Sequence, residues 1–152
     1  MNIQFNVTIT ELERFGHGLS GLVQALRGAA HQAMAERFYE IVANNFGESG
    51  EDRPSAWAPL TPRYAKRVGR EYATLAVTGR LFDAVKVESD MNSGRVSVSN
   101  SDCPYALVHQ YGGGNNIPAR PYFPIEADGE PTSYAQSVCW EAGAEVIADL
   151  LG

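Results

Sequence analysis

The chain has 152 residues, of which 44% are hydrophobic, and its 12 Lys and Arg against 18 Asp and Glu leave a formal net charge of -6. This composition is typical of one globular domain with a real core, which we expect to cover residues 1–152. No apolar run approaches the ~20 residues that cross a bilayer, and the first residues lack the basic and apolar segments of a secretory signal. We therefore expect a protein that is made in a cytoplasm and makes no membrane contact.

The cysteines and histidines favour structural roles. Two cysteines, Cys103 and Cys139, do not make a disulfide framework in a chain of this length, and we expect both to be small buried hydrophobes. None of His17, His31 and His109 stands beside another histidine or a cysteine at metal-ligand spacing, so the sequence predicts no metal and no cofactor. His109 is interpreted as a hydrogen-bonded structural residue, and the nucleophile pattern Gly-x-Ser-x-Gly is absent.

The N-terminal third of the chain predicts a strand and a long helix. Apolar and polar residues alternate over residues 3–9, which is the period of a half-buried strand. A threonine three residues before Glu13 then predicts a helix that begins at Glu11. Apolar residues recur at spacings of three and four on to about Phe46, which predicts either one amphipathic helix or a pair kinked at Gly28.

Loops and short helices are predicted in the middle of the chain. Residues 47–55 are polar and predict a flexible loop. Thr61 can then cap a short helix that opens at Pro62, since proline suits the first helical position. A second short helix is predicted to start at Thr78 or Gly79.

The remaining segments predict a hairpin, two further strands and a last helix, which complete an α+β fold. Valines alternate with polar neighbours on both sides of a turn at 92–94, which predicts an antiparallel hairpin. Two more strands are predicted at 105–111 and 122–125, and a last helix at 133–151. The predicted buried side of that helix comprises Val138, Ala142, Ile147 and Leu150. Because helices and strands are segregated, we expect a long N-terminal helix packed on a mainly antiparallel sheet, with short middle helices and a C-terminal helix.

A dense run of positive charge allows two interpretations. It consists of Arg63, Lys66, Arg67 and Arg70. Such a stretch can follow a nucleic-acid backbone. Because the whole chain is acidic, a solvated helix face or a patch that meets an acidic protein surface is favoured over direct DNA contact.

The glycine run at 112–114 invites a phosphate-binding interpretation, since glycine lets backbone amides approach an anion. It lacks the order of a phosphate-binding loop and leads to Pro118 rather than to the start of a helix. A projecting hairpin loop is therefore favoured.

Five short patterns follow one another in a fixed order between residues 46 and 123. They are Phe46-Gly47; Trp57-Ala58-Pro59-Leu60-Thr61-Pro62 with Tyr64 and Lys66; Leu75-Ala76-Val77-Thr78-Gly79-Arg80-Leu81; Tyr105-Ala106 followed by His109-Gln110-Tyr111-Gly112; and Ile117-Pro118-Ala119-Arg120-Pro121-Tyr122-Phe123. No single pattern is specific, but together they make the chain resemble the phage virion morphogenesis family, which includes tail completion proteins and the Mu-like G tail protein. The resemblance implies a non-enzymatic structural protein of a tailed phage or prophage, with no catalytic residues and no cofactor.

The resemblance also implies partners and a location. The partners are other phage tail and neck proteins, and further copies of the chain in a ring, with six subunits if the ring follows the symmetry usual in tails. The location is the virion, at the tail or the head-tail neck, after synthesis in the cytoplasm of the host bacterium.

Two groups of residues are the candidate sites. Those assigned to assembly interfaces are Arg63, Lys66, Arg67, Arg70, Tyr111, Gly112, Gly113, Gly114, Asn115 and Arg120. Those with structural roles in the family pattern are Trp57, Leu60, Tyr64, Thr78, Gly79, Leu81, Tyr105, His109, Gln110, Pro118 and Pro121. Trp57 and Leu60 are expected to pin the loop after the long helix to the sheet. Arg120 is expected to meet a carboxylate, either across a subunit interface or within the fold.

Overall fold

A computed structural model describes residues 2–8, 20–47, 50, 52–69, 75 and 78–152. Its elements are β1 (Asn2–Val7), α1 (Ser20–Asn45), α2 (Pro62–Val68), α3 (Arg80–Asp83), β2 (Lys86–Ser89), β3 (Gly94–Ser99), α4 (Ala106–Tyr111) and α5 (Ser133–Leu151). This arrangement confirms the predicted α+β class, with a long N-terminal helix, an antiparallel sheet, short middle helices and a C-terminal helix. The predicted helix start at Glu11 lies outside the described residues.

The three strands form a sheet in the order β1-β3-β2, and both pairings are antiparallel. The predicted hairpin is therefore confirmed as β2 and β3. β1 alternates exposed and buried positions as predicted, so that Ile3 pairs with Val98 and Phe5 with Val96 on the buried face. The turn between β2 and β3 is closed by Asp90, whose carboxylate accepts hydrogen bonds from two backbone amides and whose pKa they lower.

The core lies between the sheet and α1. The helix runs through Gly28 as one element of 26 residues. At its centre Phe38 is fully buried, stacks on Phe5 with ring centroids 4.1 Å apart, and reaches Phe123 at 5.9 Å. Aromatic pairs of this kind add to the free energy of burial. Met34 and Ile41 lie on the same buried face.

Small side chains let α5 approach α1 closely. The buried residues of α5 are Ala135, Cys139 and Gly143, and a methyl group on Gly143 would lie only 2.9 Å from the side chain of Met34. The prediction that Leu150 lies on the buried side of α5 is wrong, since this residue is 58% exposed. The contact line of α5 follows its smallest residues, because close helix packing leaves little room for long side chains. Both cysteines are buried free thiols, as predicted.

Two predicted strands are wrong. Residues 106–111 form α4, whose first turn is closed by the amide of His109 donating to the carbonyl of Tyr105 at 3.1 Å. Residues 122–125 bend at Phe123 and form no regular strand, and their only strand-like pairing is an isolated bridge between Ile125 and Pro131. Proline offers no ladder hydrogen, so the prolines in this stretch prevent a regular strand.

Replacing Gly94 by alanine tests the closest packing of α1 on the sheet. The added methyl group would collide with the carbonyl oxygen of His31 and would lie 3.1 Å from Ala35 Cβ and Val7 Cγ1. Because three fixed groups crowd it, we expect a loss of about 1 to 3 kcal/mol in the free energy of unfolding, measured by urea denaturation. Gly114→Ala is the control, since no atom lies within 4 Å of its added methyl. Equal stability of the two variants would contradict this packing.

Candidate assembly surfaces

Residues 118–125, here called the proline segment, form neither a helix nor a regular strand, and they bend at Phe123, where the amide of Ile125 donates to the carbonyl of Phe123 at 2.8 Å. Within it, Tyr122 and Phe123 are 0% exposed. Buried backbone amides and carbonyls need hydrogen-bond partners, and a segment outside any sheet finds many of them in side chains. The proline segment is therefore the place where side chains from distant elements converge.

Gln110 on α4 supplies most of these bonds. Its Oε1 accepts hydrogen bonds from the backbone amides of Tyr122 and Phe123, both at 3.0 Å. Its Nε2 donates to the carbonyl of Phe123 at 3.2 Å. The side chain is 2% exposed, so a single buried amide does for this segment what a neighbouring strand would otherwise do.

Three further side-chain bonds complete the anchorage of the proline segment. Asn45, the last residue of α1, donates from Nδ2 to the carbonyl of Tyr122 at 3.0 Å. The indole of Trp57 donates to the carbonyl of Pro121 at 2.7 Å. The hydroxyl of Tyr122 donates to the carbonyl of Ala106 at 3.1 Å, and burial raises the pKa of that hydroxyl.

Arg53 links the C-terminal end of α1 to Trp57, one of the side chains that hold the proline segment. Its Nε and Nη2 donate to the carbonyl of Asn45 at 2.9 and 2.7 Å, and Nη2 also donates to the carbonyl of Gly47. Its guanidinium lies 3.6 Å from the centroid of the Trp57 ring. A cation at a helix C-terminus and a cation over an indole are both favourable. Sequence analysis missed Arg53, whose only signal was a positive charge in the loop that follows a long helix.

Arg120 does not meet a carboxylate in the described part of the chain. Its Nε donates to the carbonyl of Ala58 at 3.2 Å and its Nη2 lies 3.4 Å from the carbonyl of Pro59. Its backbone amide donates to the carbonyl of His109. Burial, followed by the charge of Arg120, lowers the pKa of His109. Arg120 therefore fastens the proline segment to the loop before α2.

The loop after α4 projects from the protein. Tyr111 is 52% exposed, and Gly113, Gly114 and Asn115 are exposed as well. The amide of Gly113 donates to the carbonyl of Ile117 at 3.0 Å, which closes a short turn. Left-handed conformations at Asn115 and Asn116 fit a tight turn of this kind. The loop is not a hairpin loop between two strands, because α4 precedes it.

Beside this loop lies an open, mostly apolar cleft of about 290 Å³. Its lining includes Pro54, Tyr111, Ala119, Pro121 and Ile125.

Three of the four cations of the predicted basic run lie on the exposed helix α2. Thr61 caps α2 by accepting from the amide of Tyr64, Pro62 opens it, and none of its residues is buried. Arg63, Lys66 and Arg67 are exposed, and the Arg67 guanidinium lies 4.7 Å from the centroid of the Tyr64 ring. The fourth predicted cation, Arg70, lies outside the described residues.

The other residues of the family pattern lie in several different elements of the fold. Gly79, with φ 73°, opens α3 and is followed by Leu81, which is 1% exposed. Tyr105 is half-buried with its ring edge-on to His109. Leu60 is half-buried, whereas Thr78, Pro118 and Tyr64 are exposed. Gly112 follows α4 with φ 80°.

The described residues contain neither a cluster of three or more His, Cys, Asp and Glu that could hold a metal ion nor a helix long and apolar enough to span a membrane. They form a small α+β protein whose interior backbone is hydrogen-bonded and whose surface includes an exposed helix and an exposed loop. Residues 8–134 match the model of the phage virion morphogenesis family. The chain therefore belongs to this family and has a role in building phage particles, which confirms the resemblance. No curated protein and no solved structure matches the chain.

Replacing Gln110 by leucine tests the anchorage of the proline segment. The change leaves the buried amides of Tyr122 and Phe123 without a partner, and each such group costs about 1 to 3 kcal/mol. The carbonyl of Phe123 keeps its hydrogen bond from the amide of Ile125. We expect a large loss in the free energy of unfolding. In the control Gln136→Leu, a solvent-exposed side-chain amide loses its bond to the carbonyl of Pro131, with an expected change within about 0.5 kcal/mol. Similar losses in both variants would contradict the assigned role.

Stability is expected to fall as the pH drops below the ordinary histidine pKa. Burial lowers the pKa of His31 and of His109, so the unfolded chain binds more protons than the folded one in the window just below pH 6.5. We expect the Tm to decrease between pH 7.5 and 5.5, and His109→Gln to make that decrease smaller. Asp90 and Asp102, whose pKa values are lowered, lose their contribution only at more acidic pH. An unchanged pH dependence in His109→Gln would contradict this assignment.

Proposed function

We propose that this protein acts at the head-proximal end of a phage tail, as a tail completion or neck component that lets the tail join the filled head. The observation that carries the proposal is the family match over residues 8–134. The exposed helix α2 and the projecting loop after α4 support it, because an assembly protein needs surfaces that its own fold leaves open.

In this proposal the protein works by complementary surfaces and not by catalysis. Its partners are other tail and neck proteins and further copies of itself in a ring. A ring needs a heterologous interface, in which one patch meets a different patch on the next subunit. Residues 1–152 act as one domain in the virion. The interface candidates are the described cations of α2, Tyr111 and residues 112–115.

Nucleic-acid binding is the second candidate function. It is favoured by one observation, the exposure of three cations on α2. The net charge of -6 weighs against it, because a polyanion is repelled by an acidic protein. If α2 contacts DNA, binding weakens steeply with salt and disappears when Arg63, Lys66 and Arg67 are replaced by glutamate.

Deleting the gene from the phage or prophage that carries it tests the proposed function. We expect electron microscopy of the lysate to show full heads beside unjoined or abnormally long tails. Purified wild-type protein added to that lysate is expected to restore joined, infectious particles. Normal infectious virions from the deletion would refute the proposed role.

A further inference from the structure

The cations of α2 form one exposed face. Arg63, Lys66 and Arg67 are spaced by three and four residues, so they lie on the same side of the helix. This set is called the basic face. The ion pairs within the described part of the chain join Arg37 to Glu40 and Lys86 to Asp102, so the basic face has no carboxylate partner there.

A line of carboxylates runs along α5. Glu141, Glu145 and Asp149 follow one another at intervals of four residues, all exposed, and are called the acidic stripe. The opposite side of the helix carries the small buried residues that pack on α1, so the acidic stripe faces away from the protein's own core. Within the stripe, Glu141 accepts a hydrogen bond from the hydroxyl of Ser137 on the same helix at 3.4 Å.

The two surfaces match in spacing and in charge. Residues four apart on a helix are separated by about 6 Å along its axis, which holds for Arg63 and Arg67 and equally for Glu141 and Glu145. Each surface also carries an exposed aromatic: Tyr64 on α2 is 36% exposed, and Tyr134 on α5 is 46% exposed. Tyr134 precedes Glu141 by seven residues and therefore lies on the same side of α5.

The two surfaces are also separate, as a ring contact requires. α2 follows the loop held by Arg120, whereas α5 lies on α1. One copy can therefore offer its basic face to one neighbour and its acidic stripe to another. The occupant assigned to the basic face is a second copy, because the acidic stripe of the same chain offers the carboxylates that the basic face lacks among the described ion pairs.

We propose that the basic face of α2 docks on the acidic stripe of α5 in a second copy of this chain. The inference rests on the proposed function and specifies the heterologous contact of its ring. Exposed ion pairs are individually weak and are screened by salt, so the contact is expected to form at low salt and to gain strength when the ring closes.

Charge reversal in the full chain tests the contact. One variant combines Arg63→Glu, Lys66→Glu and Arg67→Glu, and a second combines Glu141→Lys, Glu145→Lys and Asp149→Lys. Sedimentation velocity measures association at ~50 mM salt, where the attraction between the charges is weakly screened, and at ~500 mM salt, where it is strongly screened. We expect the wild type to associate at low salt, each variant alone to associate at least tenfold more weakly, and an equimolar mixture of the two to recover association.

A matched variant controls for the change in net charge. Glu126→Lys, Asp128→Lys and Glu130→Lys reverse three exposed carboxylates in the turn before α5, and this variant is expected to associate at least as strongly as the wild type. Circular dichroism checks that every variant is folded. A monomeric wild type at low salt, or mixtures that recover no association, would overturn the docking. Salt-sensitive binding of the wild type to DNA without self-association would assign the basic face to nucleic acid instead.

The deletion lysate separates the failure of this contact from the failure of the proposed function. If wild-type protein restores head-tail joining and both charge-reversed variants restore it equally well, the function holds and the contact is refuted. If the deletion produces normal virions, the function itself is refuted, whatever the association experiments show. We expect neither reversed variant alone to restore joining, and the two added together to restore it.

Discussion

The structure depends on the hydrogen bonds that satisfy the buried backbone of the proline segment. Pro121 and Pro124 prevent that segment from joining a sheet, yet Tyr122 and Phe123 must be buried to fill the core. An extended stretch with unpaired amides could not stay in an apolar interior. Gln110 resolves this conflict by bonding three backbone groups at once, so the position of α4 and the packing of two large aromatics are determined together.

This constraint explains why the family pattern is scattered along the chain. Trp57, Gln110 and Arg120 come from three separate patterns, and each makes a hydrogen bond that holds the proline segment or fastens it to its surroundings. Arg53 adds the end of α1 through its contacts with Asn45 and Trp57. Patterns that are separate in the sequence thus contribute side chains to one tertiary arrangement.

The same arrangement leaves the outside of the protein available for assembly. Because the interior bonds are made by Gln110, Asn45 and the indole of Trp57, none of the described cations of α2 is needed to hold the fold. Residues 113–116 of the loop after α4 are likewise exposed. In a chain with a net charge of -6, the exposed basic helix α2 is then a feature of the surface that the described interior bonds do not use.

Local signals in the sequence determined the family and most of the elements. Alternation in β1, the valines of the hairpin, the Thr61-Pro62 start of α2 and the amphipathic pattern of α5 each act within a few residues, so they can be recognised without tertiary contacts. The strand predicted at 122–125 failed because the partner of its backbone, the side chain of Gln110, acts across 12 and 13 residues. The strand predicted at 105–111 failed because residues 106–111 form the short helix α4 that carries Gln110. The partners of Arg120 lie about 60 residues away, on carbonyl oxygens that any residue type carries. Only the tertiary structure could decide these contacts, because a backbone acceptor leaves no mark in the sequence.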